Sequence, residues 1–369
     1  MATPVADWPT NLAALSGGTL LAGAAMLAAF LAAMFLGSLI LPGRRIEGPE
    51  LDGKSISYKL NGLTLFLLTA VVAALAQFLG WFSLSVLNTH FLALFVVTNV
   101  FAFAFSGWLY WRGARSQGAP QGFWRGYFVG VELNPAVLGV DLKMFSYRPS
   151  LIGLALFNGS FAVAQYEAYG ELTLAMMLYQ VFTFAYVLNY FQFEGGMVHT
   201  WDIISERFGW MLVWGDYVLV PFFYCIVGWW LVDATGPPLS PVAAVAIVAL
   251  YLFGFWMFRG ANGQKHRFKR NPVTAIWGKP AETLDGRLLV SGFWGIGRHL
   301  NYTGEICIYL SFALTSGFAS WVPYVLPAWL AALLAHRSRR DERRCQAKYG
   351  ELWRRYKARV PYSMVPFVY

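Results

Sequence analysis

The chain has 369 residues, of which 57% are hydrophobic, 18% aromatic and only 13% charged. This composition is far more apolar than that of ordinary soluble domains, and it excludes a water-soluble globular protein. We therefore expect an integral membrane protein. The 28 Lys and Arg outnumber the 19 Asp and Glu, giving a net charge of +9. The excess lies mostly between apolar runs, as in the cytoplasmic loops of membrane proteins.

Apolar runs long enough to cross the roughly 30 Å hydrocarbon layer as helices recur along the chain. The clearest begin near Gly18, Gly62, His90, Ser150, Glu171, Trp210, Pro241 and Ser320. A shorter run over 302–316 predicts another helix, and polar-interrupted stretches at 194–209 and 288–297 predict broken or partial spans. The fold is thus predicted to be all-α and polytopic, with about ten transmembrane helices.

Two segments between apolar runs, 112–149 and 259–287, are unusually long and carry net positive charge. Positive charge favours the cytoplasmic side of the membrane for both segments. Because no repeat and no Gly/Ser linker is visible, we predict a single domain over residues 1–369. Within it, 1–165 would hold the first helices and the loop containing ELNP, and 166–369 the later helices and a basic tail.

Several kinds of site are not predicted. The cysteines Cys225, Cys307 and Cys345 have no spacing typical of a disulfide or zinc framework, so we interpret them as reduced thiols. The histidines are too scattered for a metal site, and no Gly-rich dinucleotide or P-loop motif is present. The N-terminus lacks a basic region before its long apolar run, so we expect no cleaved signal peptide.

The later connecting segments carry cations suited to phosphate groups. Lys265, Lys269 and Arg270 follow one another closely, and Arg298, Arg337 and Arg340 recur near later membrane boundaries. Arginine forks and lysine ammonium groups both neutralise phosphate oxygens. The alternative is that these cations only set topology or contact lipid headgroups. Trp294, His299, Asn301 and Tyr302 favour the first interpretation, because stacking surfaces that alternate with hydrogen-bonding groups suit a nucleotide base or ribose.

Five segments carry a resemblance to a known family. They are GVELNPAVLGVDLKMFSYRP from Gly130, FGWMLVWGDYVLVPFFY from Phe208, NGQKHRFKRNP from Asn262, LLVSGFWGIGRHLNYTGE from Leu288 and HRSRRDERRCQAKYG from His336. In combination they resemble the membrane sterol reductases, which include Δ14- and Δ7-sterol reductases and the membrane half of the lamin B receptor. RHLNYTGE and the tail are also similar to isoprenylcysteine-type membrane methyltransferases, and only the upstream segments separate the two.

The resemblance implies NADPH as hydride donor, held in a pocket of the C-terminal half that faces the cytoplasm. The matching positions are Lys265, Lys269, Leu289, Trp294, His299, Asn301, Tyr302, Arg337, Asp341, Cys345 and Tyr356. At Lys269 the family usually has arginine, so a bidentate phosphate contact is replaced by a point charge. This departure bears on the affinity for the cofactor and leaves its identity unchanged.

Reduction of a carbon–carbon double bond without flavin requires a proton donor inside an apolar pocket. Buried carboxyl groups favour their protonated form, and tyrosine is another possible donor. Glu194 and Asp216 lie in apolar context, so both are candidates, with Tyr190 or Tyr224 as partner. Asp341 is a further candidate by sequence. A structural hydrogen bond at a broken helix is the alternative for Asp216, and a similar structural role is the alternative for Glu194.

Glu132 and Asp141 lie beside Asn134, Pro135 and Lys143 in the ELNP segment. Acids in such a setting commonly hydrogen-bond nearby backbone, so we expect them to organise a loop. We do not predict a catalytic role for either residue.

The sequence therefore predicts an NADPH-dependent sterol reductase that acts on a ring double bond of a sterol or related polycyclic isoprenoid. The segments DLKMF and RPSLIG and the HR at the start of the tail resemble Δ14-reductases, whereas GWMLVWGD resembles Δ7-reductases; we favour Δ14. A methyltransferase is the remaining enzyme alternative. A sterol-binding scaffold would be expected to carry an additional soluble domain, for which the about sixteen residues before the first apolar run leave no room. Membrane lipid is an expected partner; neither nucleic acid nor an obligate protein partner is.

Overall fold

A computed structural model describes residues 15–50, 55–118, 122–233 and 237–366 of the chain. The described chain is mostly helical. Its strands form only four two-stranded antiparallel hairpins in these ranges. Backbone proximity divides the chain into two compact units, residues 1–235 and 236–369, which we describe separately. The predicted single domain, with its internal division after residue 165, stays a prediction.

The first unit is built from long helices joined by short hairpins and turns. Its longer helices are α1 (Gly17–Ile40), α2 (Gly62–Phe78), α4 (Phe91–Gln117), α6 (Leu142–Tyr169) and α7 (Leu174–Gln192). Its shorter helices are α3 (Val86–Thr89), α5 (Phe123–Val129), α8 (Trp201–Ile204), α9 (Trp210–Trp214) and α10 (Ile226–Leu231). Its strands pair as β1 (Arg44–Glu47) with β2 (Ser57–Leu60), and β3 (Ala136–Val137) with β4 (Val140–Asp141).

The second unit begins with α11 (Pro241–Arg270), the longest helix of the described chain. Two hairpins follow, β5 (Ala275–Ile276) with β6 (Lys279–Pro280), and β7 (Thr283–Leu284) with β8 (Leu288–Leu289). The remaining helices are α12 (Phe293–Ile296), α13 (Leu300–Leu314), α14 (Val325–Tyr349) and α15 (Glu351–Arg359), with a 3₁₀ turn at Val322–Tyr324.

Side-chain caps start several of these helices. The Asp141 carboxylate accepts from the backbone N–H of Met144 at 2.7 Å and begins α6. Ser240 caps α11 in the same manner, with Pro241 at its first position. Such caps satisfy backbone donors that a helix start leaves without a partner. The expectation that Asp141 organises its loop is thus confirmed.

Five described helices or helical segments are long and apolar enough to cross a membrane: Gly17–Ile40, Phe91–Gln117, Leu174–Gln192, Trp210–Leu231 and Pro241–Arg270. Gly62–Phe78 is a shorter apolar helix. Helix α13 has only 15 residues, and α14 carries charged residues through its second half. These helices support a polytopic membrane protein; the count of about ten spans stays a prediction.

The predicted limits of the long connecting segments are wrong at three places. Helix α4 continues to Gln117, α6 begins before Pro149, and α11 runs on through NGQKHRFKR to Arg270. Lysine and arginine are good helix formers, and cations near a helix C-terminus interact favourably with its dipole. A basic stretch at the end of an apolar run therefore prolongs the helix beyond the membrane.

A break in the regular helix marks the segment that follows Phe208. After α9 the chain forms a π-helix over Gly215–Phe223, which contains Asp216 and Pro221. Val213, Tyr217 and Val218 of this region are buried in one core cluster with Phe208. π-helical turns are rare and often occur at functional sites. The sequence predicted a broken or partial span just upstream, at 194–209. There residues 194–199 form a 3₁₀ helix.

Close packing of two helices orders the second unit. A Cβ atom added to Gly304 of α13 would lie 2.5 Å from the backbone nitrogen of Phe258 in α11. One added to Gly254 would lie 2.8 Å from the carbonyl oxygen of Gly304. Glycine at both positions lets the backbones approach, as is common between membrane helices. The start of α13 is thereby fixed beside the middle of α11.

Candidate cofactor and proton-donor sites

The end of α11 and the loop before α13 meet at Trp294. Its indole N–H donates to the carbonyl oxygen of Ala261 at 2.8 Å, and its ring lies 4.5 Å from the ammonium of Lys265. A cation over an indole face is attracted by the ring's negative potential. The Lys265 side chain is nonetheless exposed, so its ammonium is accessible to an anionic ligand.

The same region brings His299, Asn301 and Tyr302 together with α14. The rings of His299 and Tyr302 stack with centroids 5.0 Å apart and an interplanar angle of 9°. The Tyr302 hydroxyl donates to Asp341 Oδ2 at 2.9 Å. The Asn301 amide donates to Asn262 Oδ1 at 3.3 Å. Residues from three helices therefore border one small region.

Among the predicted cofactor residues, two buried polar atoms have no hydrogen-bond partner in the described chain. They are Nε2 of His299 and Oδ1 of Asn301. Buried polar atoms are nearly always paired, so such atoms require an explanation, and a polar ligand or water is the ordinary one. An imidazole nitrogen and an amide oxygen two residues apart could both be satisfied by one polar ligand.

The floor of the region is apolar. Tyr356 donates to the carbonyl oxygen of Trp294 at 2.9 Å and packs with Val290, Trp353 and Val360, with Cys345 at the edge of this cluster. Leu289 lies in the adjoining cluster with Phe268 and Ile276, against which Trp294 also packs. Burial raises the pKa of the Tyr356 phenol above its ordinary value, so it remains a neutral donor.

The predicted phosphate cations differ in their accessibility. Lys269 is exposed at the end of α11, close enough to Lys265 for the two charges to repel, and Arg337 lies within electrostatic range of Tyr302. The side chain of Arg298, in contrast, is 7% exposed and bonded to Glu342 and two carbonyl oxygens. The structure thus does not support Arg298 as a phosphate ligand.

Sequence reasoning missed several residues that shape this region. Asn262 and Gln264 hold Asn301 and the N–H of Phe293, and Glu342 holds Arg298. At Gly292, with φ of 62°, an added Cβ would lie 2.4 Å from Gln264 Oε1, so glycine is required. The GQ pair in NGQKHRFKR was the only sequence signal, since glutamine near an apolar run indicates a buried amide.

The pH dependence of stability offers a test of this packing. Burial lowers the pKa of the His299 imidazole from 6.5 to about 4. Below pH 6.5 the imidazole of the unfolded chain binds a proton, whereas that of the folded chain stays neutral until about pH 4. The free energy of unfolding is therefore highest above pH 6.5 and decreases as the pH falls below it. We expect a loss of about 2 kcal/mol at about pH 5, which His299→Gln removes. Melting temperatures of both proteins across this pH range check it.

His336→Gln is the matched control, because its imidazole is exposed. That variant should keep the wild-type dependence of melting temperature on pH. An unchanged dependence in His299→Gln would mean that the ring is solvated.

The predicted proton donors lie in the first unit, where three of the four are near one another. Asp216 is 9% exposed, and the ring of Tyr190 lies within electrostatic range of both Asp216 and Glu194. The Tyr190 hydroxyl is buried without a hydrogen-bond partner in the described chain. Tyr224 packs against Phe223. Asp216 and Tyr190 thus lie near each other in the interior of the first unit. Their role as proton donors stays a prediction.

Glu194 has a partner that the sequence did not indicate. Its Oε1 accepts from Nε and Nη2 of Arg148 at 3.1 and 3.0 Å, and its Oε2 accepts from the N–H of Gly62 at 3.0 Å. Both side chains are about 95% buried or more. The carboxylate therefore joins α2, α6 and the 3₁₀ helix, which is the work of a structural ion pair. The catalytic role of Glu194 stays a prediction.

Two more buried or half-buried ion contacts hold the loops of this unit. The Lys143 ammonium, 1% exposed, donates to the carbonyl oxygens of Ile203 and Glu206 at 3.0 and 2.6 Å. Glu132 lies 3.6 Å from Arg112, and its carbonyl oxygen accepts from Phe208. The ELNP segment is thus tied to the segment that leads into the π-helix, as expected for residues that organise a loop.

The five long apolar segments define the class of helical integral membrane proteins. Residues 24–369 match the ergosterol biosynthesis ERG4/ERG24 family. The chain belongs to this family, and its resemblance to the membrane sterol reductases is confirmed.

Individual relatives agree with the family. The chain is 42% identical to the Δ(14)-sterol reductase of Methylotuvimicrobium alcaliphilum, over 85% of this chain and 75% of that protein. It is 40% identical to the Δ(14)-sterol reductase of Arabidopsis thaliana, over 85% and 87%. It is 34% identical to the 7-dehydrocholesterol reductase of Xenopus laevis, over 84% and 70%. The chain is thus an integral membrane protein of a sterol-metabolising family.

Proposed function

We propose that this protein is an NADPH-dependent sterol reductase that saturates the Δ14 ring double bond of a sterol. Its higher identity to relatives named Δ(14)-sterol reductase than to one named 7-dehydrocholesterol reductase supports the choice of bond. The observation that carries the proposal is the cluster around Trp294, where the positions matched to the family's cofactor residues surround two unpartnered polar atoms.

The residues of this cluster fit a nicotinamide dinucleotide. The exposed ammonium groups of Lys265 and Lys269 suit phosphates, and Trp294 presents a large ring beside them. His299 and Asn301 have a free nitrogen and a free oxygen for polar groups of the cofactor. Tyr302 and Asp341 would border the same ligand, and Leu289, Cys345 and Tyr356 would exclude water from it.

The reaction divides into two transfers. One carbon of the double bond gains a proton from an acid of the protein, and the other carbon, then cationic, gains a hydride. NADPH, if held by the residues of the cluster, would supply that hydride and be oxidised to NADP⁺. The protein's part is to exclude water, hold the sterol and place a neutral acid in an apolar site. We assign the proton to Asp216 with Tyr190, and the Tyr302–Asp341 pair is the alternative donor.

The preference for NADPH should depend on Lys265. A charged hydrogen bond contributes about 1.5–3 kcal/mol, so we expect Lys265→Ala to weaken NADPH binding by about one to two orders of magnitude. Loss of a phosphate contact should lower the affinity for NADH less than that for NADPH. The ratio of the two affinities should therefore decrease in the variant. Titration of both dinucleotides against the wild type and the variant measures this. Lys279→Ala, at an exposed hairpin position, serves as control. Equal affinities of the wild type for NADH and NADPH would contradict the prediction.

The function itself is tested by product identification. Purified protein is incubated with NADPH and separate Δ14-, Δ7- and side-chain-unsaturated sterols, and the products are identified by mass spectrometry. We expect saturation of the Δ14 bond. Saturation of the Δ7 bond would establish the alternative suggested by GWMLVWGD. Transfer of a methyl group from S-adenosylmethionine, without sterol reduction, would indicate the methyltransferase.

The same proposal includes the arrangement in the membrane. We infer about ten spans, because α2, α6, α13 and the first half of α14 would raise the five candidate spans to nine. The positive charge of the later connecting segments favours a cofactor site on the cytoplasmic side. The substrate would reach the protein from the bilayer, and no obligate protein partner is proposed.

A further inference from the structure

The guanidinium of Arg298 is almost completely used within the second unit. Its Nε and Nη2 donate to Oε1 of Glu342 in α14, and its Nη1 donates to the carbonyl oxygens of Val360 and Pro361, both at 2.7 Å. The planar fork of arginine suits several acceptors at once, which the single ammonium of lysine does not. One side chain thus connects the loop before α13, helix α14 and the chain after α15.

The last segment of the described chain lies along the start of α13. We call residues 360–364 the C-terminal strap. Backbone N–H groups of Arg298 and His299 donate to the carbonyl oxygens of Tyr362 and Ser363 at 3.0 and 2.7 Å. The Thr303 hydroxyl donates to the carbonyl oxygen of Met364. With the two bonds from the Arg298 side chain, five hydrogen bonds hold the strap against residues 298–303.

The segment that the strap holds is the one that carries the predicted cofactor contacts. His299, Asn301 and Tyr302 lie within residues 298–303, and Asp341 is the neighbour of Glu342. The bond from Tyr302 to Asp341 depends on the relative placement of α13 and α14, and Tyr302 in turn stacks on His299. The ion pair of Arg298 with Glu342 is a second bond to α14, beside the one between Tyr302 and Asp341, and it fixes that placement.

We propose that Arg298 is a positioning residue for the cofactor site, and that it acts by fastening the C-terminal strap and α14 to the segment of His299, Asn301 and Tyr302. This inference rests on the proposed function, since it takes the cluster to bind a nicotinamide dinucleotide. Arg298 itself does not touch the cofactor. The strap, although it lies beyond the matched cofactor residues, is part of the site.

The mechanism makes a prediction that separates positioning from direct contact. Displacement of His299 and Asn301 should weaken the binding of NADH and of NADPH by the same factor. Loss of a side chain that binds phosphate should weaken the binding of NADPH selectively. We expect Arg298→Lys to raise both dissociation constants by about tenfold or more. Thr303→Val, which removes one strap bond and no charge, should raise both by about threefold. Intrinsic fluorescence titration of purified full-length protein measures both constants for the wild type and each variant.

Arg355→Ala is the control, because it removes an arginine whose ion pair with Asp285 is about half exposed on both sides. It should leave both constants unchanged. Melting temperatures are recorded for every variant, and Thr303→Val provides the test if Arg298→Lys does not fold. Unchanged constants in Thr303→Val and Arg298→Lys, or a loss confined to NADPH, would overturn the inference. A wild-type protein that binds neither dinucleotide would refute the proposed function and this inference with it.

Discussion

Removal of residues 337–369 should abolish NADPH binding while the helices of the first unit still insert into the membrane. The deletion takes away Arg337, Asp341, Cys345 and Tyr356, and with them the partner of Tyr302 and the C-terminal strap. It also uncovers the cluster of Val290 and its neighbours. The first unit has its own core, which the deletion does not touch. NADPH titration of the truncated protein, with protease mapping in membranes, measures both effects.

A milder variant protects this prediction against simple misfolding. Tyr356→Phe removes only the hydroxyl that donates to Trp294, at 2.9 Å. A neutral hydrogen bond contributes about 0.5–1.5 kcal/mol, so NADPH affinity should fall by about two- to tenfold. Affinity retained by the truncated protein would move the cofactor site out of the C-terminal half.

The starts of α2 and α11 were predictable because they depend on local signals, whereas α6 begins eight residues before the predicted Ser150. Helix α11 begins at Pro241, after the Ser240 cap, and α2 begins at Gly62. Both starts are at the residues where the apolar runs were predicted to begin. The ends were less predictable. Apolar periodicity stops at the membrane boundary, but the backbone of α11 continues through basic residues that favour a helix. Hydropathy thus locates the membrane segment and does not locate the end of the helix.

The cofactor cluster was predictable only through the resemblance to the sterol reductases. No spacing rule relates Lys265 of α11 to Asp341 of α14, because their proximity depends on packing between helices. The same limit applies to Glu194 and Arg148, which lie 46 positions apart and meet across two helices. Contacts of backbone carbonyl oxygens, such as those of Val360 and Pro361 with Arg298, leave no trace in side-chain composition.

The ion pair of Glu194 changes what a substitution there would reveal. Breaking a buried pair by removing one charge costs about 3–5 kcal/mol, because the remaining charge is left without compensation. Glu194→Gln should therefore lower the melting temperature strongly, and its loss of turnover would follow from loss of folded protein. Asp216 gives the cleaner test, because Lys143 acts on it only at electrostatic range, without an ion pair like that of Glu194.

Asp216→Asn should reduce sterol turnover by about 10²–10⁴ while NADPH still binds, because the amide keeps the shape of the carboxyl group and cannot transfer its proton in the same way. A carbocation mechanism needs a neutral acid in an apolar site, and a buried carboxyl group in a membrane segment meets that need. The π-helix at Gly215–Phe223 directs Asp216 into the core of its unit, where Tyr190 lies within its electrostatic range.

Tyr190→Phe should also reduce sterol turnover. Sterol product, NADPH affinity and melting temperature are measured for both variants, with exposed Glu171→Gln as the control. Near-normal turnover in Asp216→Asn, and in Glu194→Gln among its folded molecules, would transfer the donor role to the Tyr302–Asp341 pair, because that pair is the remaining hydrogen-bonded acid beside the cofactor cluster.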